Sequence, residues 1–408
     1  MKYAVWFVRL LFVAWMLPAG INHFIPLFPQ PLGNQLLSRE LFAALEASRL
    51  FDLVKIVELV AALCLLAGVY VPLALLLCMP VSFCVWYWDV PLQGWGSISA
   101  IYGWAVLLSN MFLCLAYLPS YRAMLTPRAA PSPTGAPSKG AAPLVLAGRF
   151  VFGLWMVSSG LNFFVMPLIG MPTGHEPLAV QLMRALTNSQ LLHVAMAIQL
   201  VAGAFILAGL FVPLALCMLM PVSVCAAYWA VVLEQGVFGA LLSLLAVALN
   251  GALMFAYLDH YRALLRRDAV ALGEAAGPNM HYESLFVHIG GRTRRGAFIG
   301  ALVPLLAVAL FYHFLVFGLP GQWAMLTLIF PALVLYGRRL RDMGRSVWWL
   351  LIAAIPGATA IWFHMFNPGT DNERAALLVA LAICALITLW ALAGKSERGA
   401  LIGRAAVA

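Results

Sequence analysis

Stretches of about twenty predominantly apolar residues recur along the whole chain, and no other feature limits its fold as much. A helix crossing the hydrocarbon core of a bilayer needs roughly 20 such residues at a rise of about 1.5 Å each. Spans are predicted over 3–25, 51–69, 71–88 and 98–118, then 144–165, 190–210, 211–231 and 237–257, then 297–317, 321–337, 347–366 and 375–394. The expected fold class is an all-α integral membrane protein of about twelve transmembrane helices in three four-helix units. Only 10% of the 408 residues are charged, so no sizeable soluble domain is expected between the spans. Met1–Leu17 is apolar apart from Lys2 and Arg9. Its apolar run continues past the length of a usual signal-peptide core, so it reads as a retained first helix.

The net charge of +9 does not indicate nucleic acid, because the basic residues sit in short segments between apolar runs. Twelve spans put both termini on one side, with all basic residues except Arg39, Arg49, Lys55, Arg184 and Arg374. The positive-inside rule makes that side the cytoplasm of a bacterial inner (plasma) membrane. The seven cysteines (64, 78, 84, 114, 217, 225 and 384) lie in apolar runs without a Cys-x-x-Cys pair and read as small buried hydrophobes. The histidines (23, 175, 193, 260, 281, 288, 313 and 364) have no haem or metal spacing, and no Gly-rich dinucleotide loop is present. No metal site, cofactor site or catalytic motif is read from the residues, which leaves open whether the chain is an enzyme.

The chain is duplicated. Gly68-Val-Tyr-Val-Pro-Leu-Ala-Leu-Leu-Leu-Cys-Met-Pro80-Val-Ser returns as Gly209-Leu-Phe-Val-Pro-Leu-Ala-Leu-Cys-Met-Leu-Met-Pro221-Val-Ser. Arg9, Trp15, Gly20, Asn22 and Phe24 return as Arg149, Trp155, Gly160, Asn162 and Phe164, and Asn110 as Asn250. Each copy has an even number of spans, so the copies run the same way, as a parallel repeat about an axis along the membrane normal. The expected organisation is a first copy over 1–125, a flexible cytoplasmic linker over 126–143 and a second copy over 144–268. A basic linker over 269–296 and a four-helix domain over 297–408 follow.

Each copy resembles the DoxX family of four-helix bacterial membrane proteins. The residues that carry the likeness are the first-helix Arg, the Gly20-Ile-Asn-His-Phe24 and Gly160-Leu-Asn-Phe-Phe164 endings, and Glu58 running to Gly68 and Val71-Pro-Leu-Ala-Leu75. The second copy departs from the pattern with Gln199 in place of Glu58. The remainder resembles the domain-of-unknown-function family numbered 805, through Gly291-Arg-Thr-Arg-Arg-Gly-Ala-Phe298 and Arg338-Arg-Leu-Arg-Asp-Met-Gly-Arg-Ser-Val-Trp-Trp349. Arg341 stands there where that family usually has His, and Val347 where it has Gly. The DoxX resemblance implies membrane redox chemistry, with the chain as an accessory subunit to a redox partner protein. A quinone is implied by that resemblance alone.

Several polar positions stand out within apolar sequence. Asp52, Lys55 and Glu58 share one face of the second span. They read either as a proton- or substrate-handling site or as a structural ion-paired face in which Lys55 neutralises both acids. Asn22 and His23 lie at the same predicted end and are candidate members of the site; Asn22 also suits a helix cap. The second copy has His193, Met196, Gln199 and Asn162 as counterparts, so a single charged site belongs to the first copy. Short amphipathic helices within 26–48 and 166–189 read as connectors or as a roof over that site. In the third unit, Arg292, Arg294, Arg295, Arg338, Arg341, Asp342 and Arg345, with Trp348 and Trp349, read as topology anchors or as contacts to anionic lipid headgroups or a partner protein. The expected function is a polytopic inner-membrane protein of DoxX type, an accessory subunit of a quinone-linked redox assembly. The alternatives are a small-solute or proton-coupled transporter using the Asp52, Lys55 and Glu58 face, and a non-catalytic membrane scaffold or lipid-binding protein.

Overall fold

In the computed structural model, the described residues are 2–131, 142–165, 173–272, 284–287, 289–316, 318–367 and 369–396, and they carry helices without a strand. The first copy forms α1 (Lys2–Phe24), α2 (Leu36–Ala47), α3 (Leu50–Ala67), α4 (Val71–Asp89), α5 (Ile98–Ala116) and the single turn α6 (Leu118–Tyr121). The second forms α7 (Ala142–Phe164), α8 (Pro177–Asn188), α9 (Leu191–Ala208), α10 (Val212–Tyr228) and α11 (Val237–Ala256). The remainder forms α12 (Ser284–Val287), α13 (Arg295–Leu315), α14 (Leu319–Thr327), α15 (Ile329–Asp342), α16 (Leu351–Phe366) and α17 (Asp371–Ala393).

Eleven helical segments among the described residues are long and apolar enough to cross a bilayer. The remaining predicted span is α3, a helix of 18 residues that carries the three charged residues Asp52, Lys55 and Glu58. One predicted span, 321–337, lies within the candidate crossing Leu319–Asp342, whose helix is interrupted for one residue at Leu328 between α14 and α15. Pro331 has no N–H to bond the Thr327 carbonyl, so the helical ladder is interrupted there. Within the predicted linkers and connectors, residues 132–141, 166–172 and 273–283 lie outside the described residues, as do His281 and His288.

The chain divides into two compact units, one of residues 19–65 and 69–272, the other of residues 1–18, 66–68 and 273–408. The first eighteen residues therefore group with the C-terminal helices.

The repeat unit is tied together by pairs of equivalent hydrogen bonds. Tyr87 Oη donates to the Ser189 carbonyl at 2.7 Å, and Tyr228 Oη donates to the Ser48 carbonyl at 2.8 Å. At the opposite helix ends the Tyr70 amide donates to the Arg267 carbonyl, and the Phe211 amide to that of Pro127. Each bond from the first copy to the second has a mate running back, to the first copy or to Pro127 just after it, as a parallel twofold repeat requires. Between the copies, Leu41, Ala44 and Leu50 pack with Ala179, Leu182, Ala185 and Leu233, so α2 and α8 bury their apolar faces on each other.

Sequence identity between the copies has a local cause. Gly68 and Gly209 end α3 and α9 at φ +70° and +71°, where a side chain is strained. Pro72 and Pro213 then open α4 and α10, where a missing N–H costs nothing. The Pro72 and Pro213 carbonyls accept from Tyr121 and Tyr261 Oη at 2.7 and 2.8 Å. Burial pushes both phenols well above their ordinary pKa, so they remain donors.

In the other unit, Trp6 stacks on Phe286 at 4.2 Å, and Tyr312 Oη donates to the Leu11 carbonyl at 2.6 Å. Phe298, Ala301, Leu305 and Val308 of α13 are buried there, together with Leu335 and Leu340 of α15.

Candidate polar site in the first repeat

α1 ends in Gly20-Ile-Asn-His-Phe24, and each of three residues in this motif has a distinct task. Gly20 lets α1 approach α3: a Cβ there would lie 2.7 Å from the Leu59 side chain. Gly160 does the same against Leu200 of α9. Asn22 Oδ1 accepts from the Leu27 and Phe28 amides, both at 2.7 Å, and so caps the chain leaving the helix. Its Nδ2 is buried without a partner. His23 then reaches across, with Nε2 2.7 Å from Asp52 Oδ1.

One helical turn further along α3, Lys55 Nζ donates to Glu58 Oε2 at 2.7 Å. The lysine is 8% and the glutamate 4% exposed. Lys55 also lies 4.8 Å from the Phe51 ring, which touches His23 on one side and Phe42 of α2 on the other. Lys55 therefore does not neutralise both acids, as one sequence expectation had it. Asp52 pairs with His23, and Glu58 with Lys55. The i,i+3 spacing sets the second pair, while the Gly20 contact brings the first together.

The second copy keeps the packing without the charges. His193 sits edge-on to Phe163 at 4.8 Å with a buried, unpartnered Nδ1. Gln199 Oε1 accepts from Ser159 Oγ at 3.2 Å. Met196 and Asn162 are half-buried.

The connectors are pinned alike in both copies. The Asn34 amide donates to Gln93 Oε1 at 3.1 Å; the His175 amide donates to Glu234 Oε2 at 2.8 Å, and the His175 ring also meets Glu234. Trp88 and Trp229 Nε1 donate to the Ser38 and Ala179 carbonyls. α2 reaches the polar site through Phe42 alone among these contacts, and packs mainly on α8.

Two buried groups carried no sequence signal. Asp89 ends α4 among aromatic residues, where its charge reads as an ordinary helix-end residue. Arg339 is fully buried at the end of α15. Its guanidinium donates to Asp342 Oδ2 at 2.5 Å, to the Gly394 carbonyl at 2.7 Å and to the Ala391 carbonyl at 2.9 Å. Ser396 Oγ completes the Asp342 shell. Arg338 is buried too, donating from Nε to Thr293 Oγ1 at 3.1 Å. Arg338 and Asp342 are thus corrected from surface contacts to internal ties: Asp342 orders Arg339, three residues back, instead of closing a stripe with Arg338 and Arg345. Arg292, Arg294, Arg295 and Arg345 are exposed, and Arg341 is half-buried with NH1 on the Gly291 carbonyl. A shallow pocket of about 220 Å³ is lined by Ser346, Trp348, Trp349 and Ile352.

These features define a polytopic membrane protein in contact with a lipid bilayer. Residues 286–375 match the family described as "Protein of unknown function (DUF805)". The two repeats match no DoxX family model. No curated protein and no solved structure matches the chain.

Proposed function

We propose that the chain binds and moves a small solute together with protons, using His23, Asp52, Lys55 and Glu58 of the first repeat. One observation carries this reading: the second repeat builds the same helix packing with His193, Met196 and Gln199. The fold therefore does not require the charges, and ionisable groups in a membrane helix are retained at a cost of about 2.5–3.5 kcal/mol each on insertion scales. A proton arriving on the Glu58 carboxylate breaks its pair with Lys55. The freed ammonium then attracts an anionic group, and loss of the proton restores the pair and releases that group. His23 and Asp52, less deeply enclosed, relay the proton to water. In proteoliposomes, counterflow of labelled small carboxylates is expected, with loss in Glu58→Gln. Carboxylate counterflow that survives Glu58→Gln would refute the assignment.

A second reading rests on the motifs shared with DoxX proteins in both repeats, namely an accessory subunit of a quinone-linked assembly in a bacterial inner membrane. A flavin, haem or quinone accompanying the protein from mild detergent, on the chain or on a bound partner, supports it. A colourless, solitary protein without quinone contradicts it. The exposed Arg292, Arg294, Arg295 and Arg345 beside Trp348 and Trp349 also suit anionic headgroups, and vesicle binding that weakens in Arg345→Gln tests that contact.

A further inference from the structure

Asp89 is 7% exposed at the C-terminal end of α4. Gly103 of α5 permits this burial, since a Cβ there would lie 2.7 Å from Asp89 Cβ and 3.3 Å from Trp86 Cα. The carboxylate accepts one long hydrogen bond, from Gln93 Nε2 at 3.4 Å. Among the described residues no lysine, arginine or histidine pairs with it. Tyr102 lies within electrostatic reach.

Three indole rings form a cluster. The Trp86 and Trp104 centroids are 5.3 Å apart, and each lies 6.3 Å from that of Trp95. Trp86 Nε1 is buried and has no partner. Trp95 is exposed and gives the cluster an open side.

Nothing in the fold requires this grouping. In the second repeat the equivalent positions hold Ala227, Ala230, Gly236 and Leu244, and α10 runs on through a π-helical turn at Trp229–Glu234. Tryptophans at headgroup level anchor many membrane helices, but an anchor has no use for a buried carboxylate without a countercharge. Asp89 Cβ and Trp86 Cα both lie within 3.3 Å of the point a Cβ on Gly103 would occupy, next in the chain to Trp104, and a carboxyl group close to electron-rich rings is the pairing that attracts a weakly hydrated organic cation.

We propose that Asp89, with Trp86, Trp95 and Trp104, binds an alkylammonium group, entering past Trp95. The site is separate from the His23–Glu58 cluster, and its test is independent of the solute-transfer reading. The ammonium belongs either to a free solute or to a lipid headgroup.

The probe is labelled tetramethylammonium, with the full chain in nanodiscs of phosphatidylglycerol. Saturable binding is expected, weakened at least tenfold in Asp89→Asn and several-fold in Trp95→Leu, an exposed position where folding is preserved. Gln199→Ala, in the second copy, is expected to bind as the wild type does, and equimolar sodium is expected not to compete. If phosphatidylethanolamine in the nanodisc lowers the apparent affinity, the headgroup is the natural occupant; if it does not, a free solute is. No saturable binding, unchanged binding in Asp89→Asn, or equal competition by sodium would each overturn the site.

Discussion

Lys55 and Glu58 neutralise each other where neither charge is tolerated alone. Removing one partner leaves the other buried and unpaired, which costs about 3–5 kcal/mol, whereas replacing both by apolar groups of similar size is often neutral. Lys55→Met is therefore expected to lower the melting temperature in detergent clearly, and Lys55→Met with Glu58→Leu to recover most of the loss. A double variant as unstable as the single would mean that these side chains make contacts beyond each other that apolar groups do not replace. Arg339 makes a different demand, since its fork reaches the Asp342 carboxylate, the carbonyls of Thr293, Ala391 and Gly394 and the Ser396 hydroxyl at once. Lysine offers a single charged nitrogen, so Arg339→Lys is expected to destabilise its unit by about 2–4 kcal/mol, read as lost thermal stability. The polar site was legible in the sequence because charges inside apolar runs are conspicuous. Its pairing was not, because His23 meets Asp52 across 29 positions through a glycine contact that spacing does not report. Asp89 and Arg339 stayed hidden for the opposite reason: both stand at helix ends, where charge is ordinary.

At the scale of elements, α2 and α8 hold the two copies together by packing, and Tyr87, Tyr228, Trp88 and Trp229 add single hydrogen bonds at their edges. Tyr87→Phe and Tyr228→Phe each remove one such bond, worth about 0.5–1.5 kcal/mol. Faster amide exchange in α8 for the first and in α2 for the second is the expected readout, since each tyrosine holds the carbonyl just after that helix. Uniform exchange across both variants would deny that reciprocity. Helix positions were readable from apolar run length, and the duplicated Gly and Pro marked the tight turns. The break between α14 and α15 was missed because an apolar run conceals a proline's missing donor. Pro18, Pro80, Pro221, Pro304 and Pro356 all lie inside helices. Proline alone therefore does not predict a break in a membrane helix.

For the whole molecule, the duplication gives two copies that bond reciprocally and yet differ in charge. Once two identical halves are covalently joined, one half is free to lose polar groups that the other keeps. Cleavage at a protease site placed between Pro131 and Ala142 is expected to leave the two fragments eluting together in mild detergent, because the copies hold each other without the connecting backbone. Separate elution would show that the covalent link holds them. The proposed orientation, with both ends cytoplasmic, predicts that a phosphatase fused after residue 396 is inactive and a fluorescent protein fused there is bright.

The central claim is that the two copies share a fold but not a function. The direct measurement is proton-linked charge movement on a solid-supported membrane, comparing the wild type, Glu58→Gln and Gln199→Ala after each is shown to be folded. The account predicts a current in the wild type, none in Glu58→Gln and a retained current in Gln199→Ala. Equal loss in both variants, or a full current in Glu58→Gln, would contradict it.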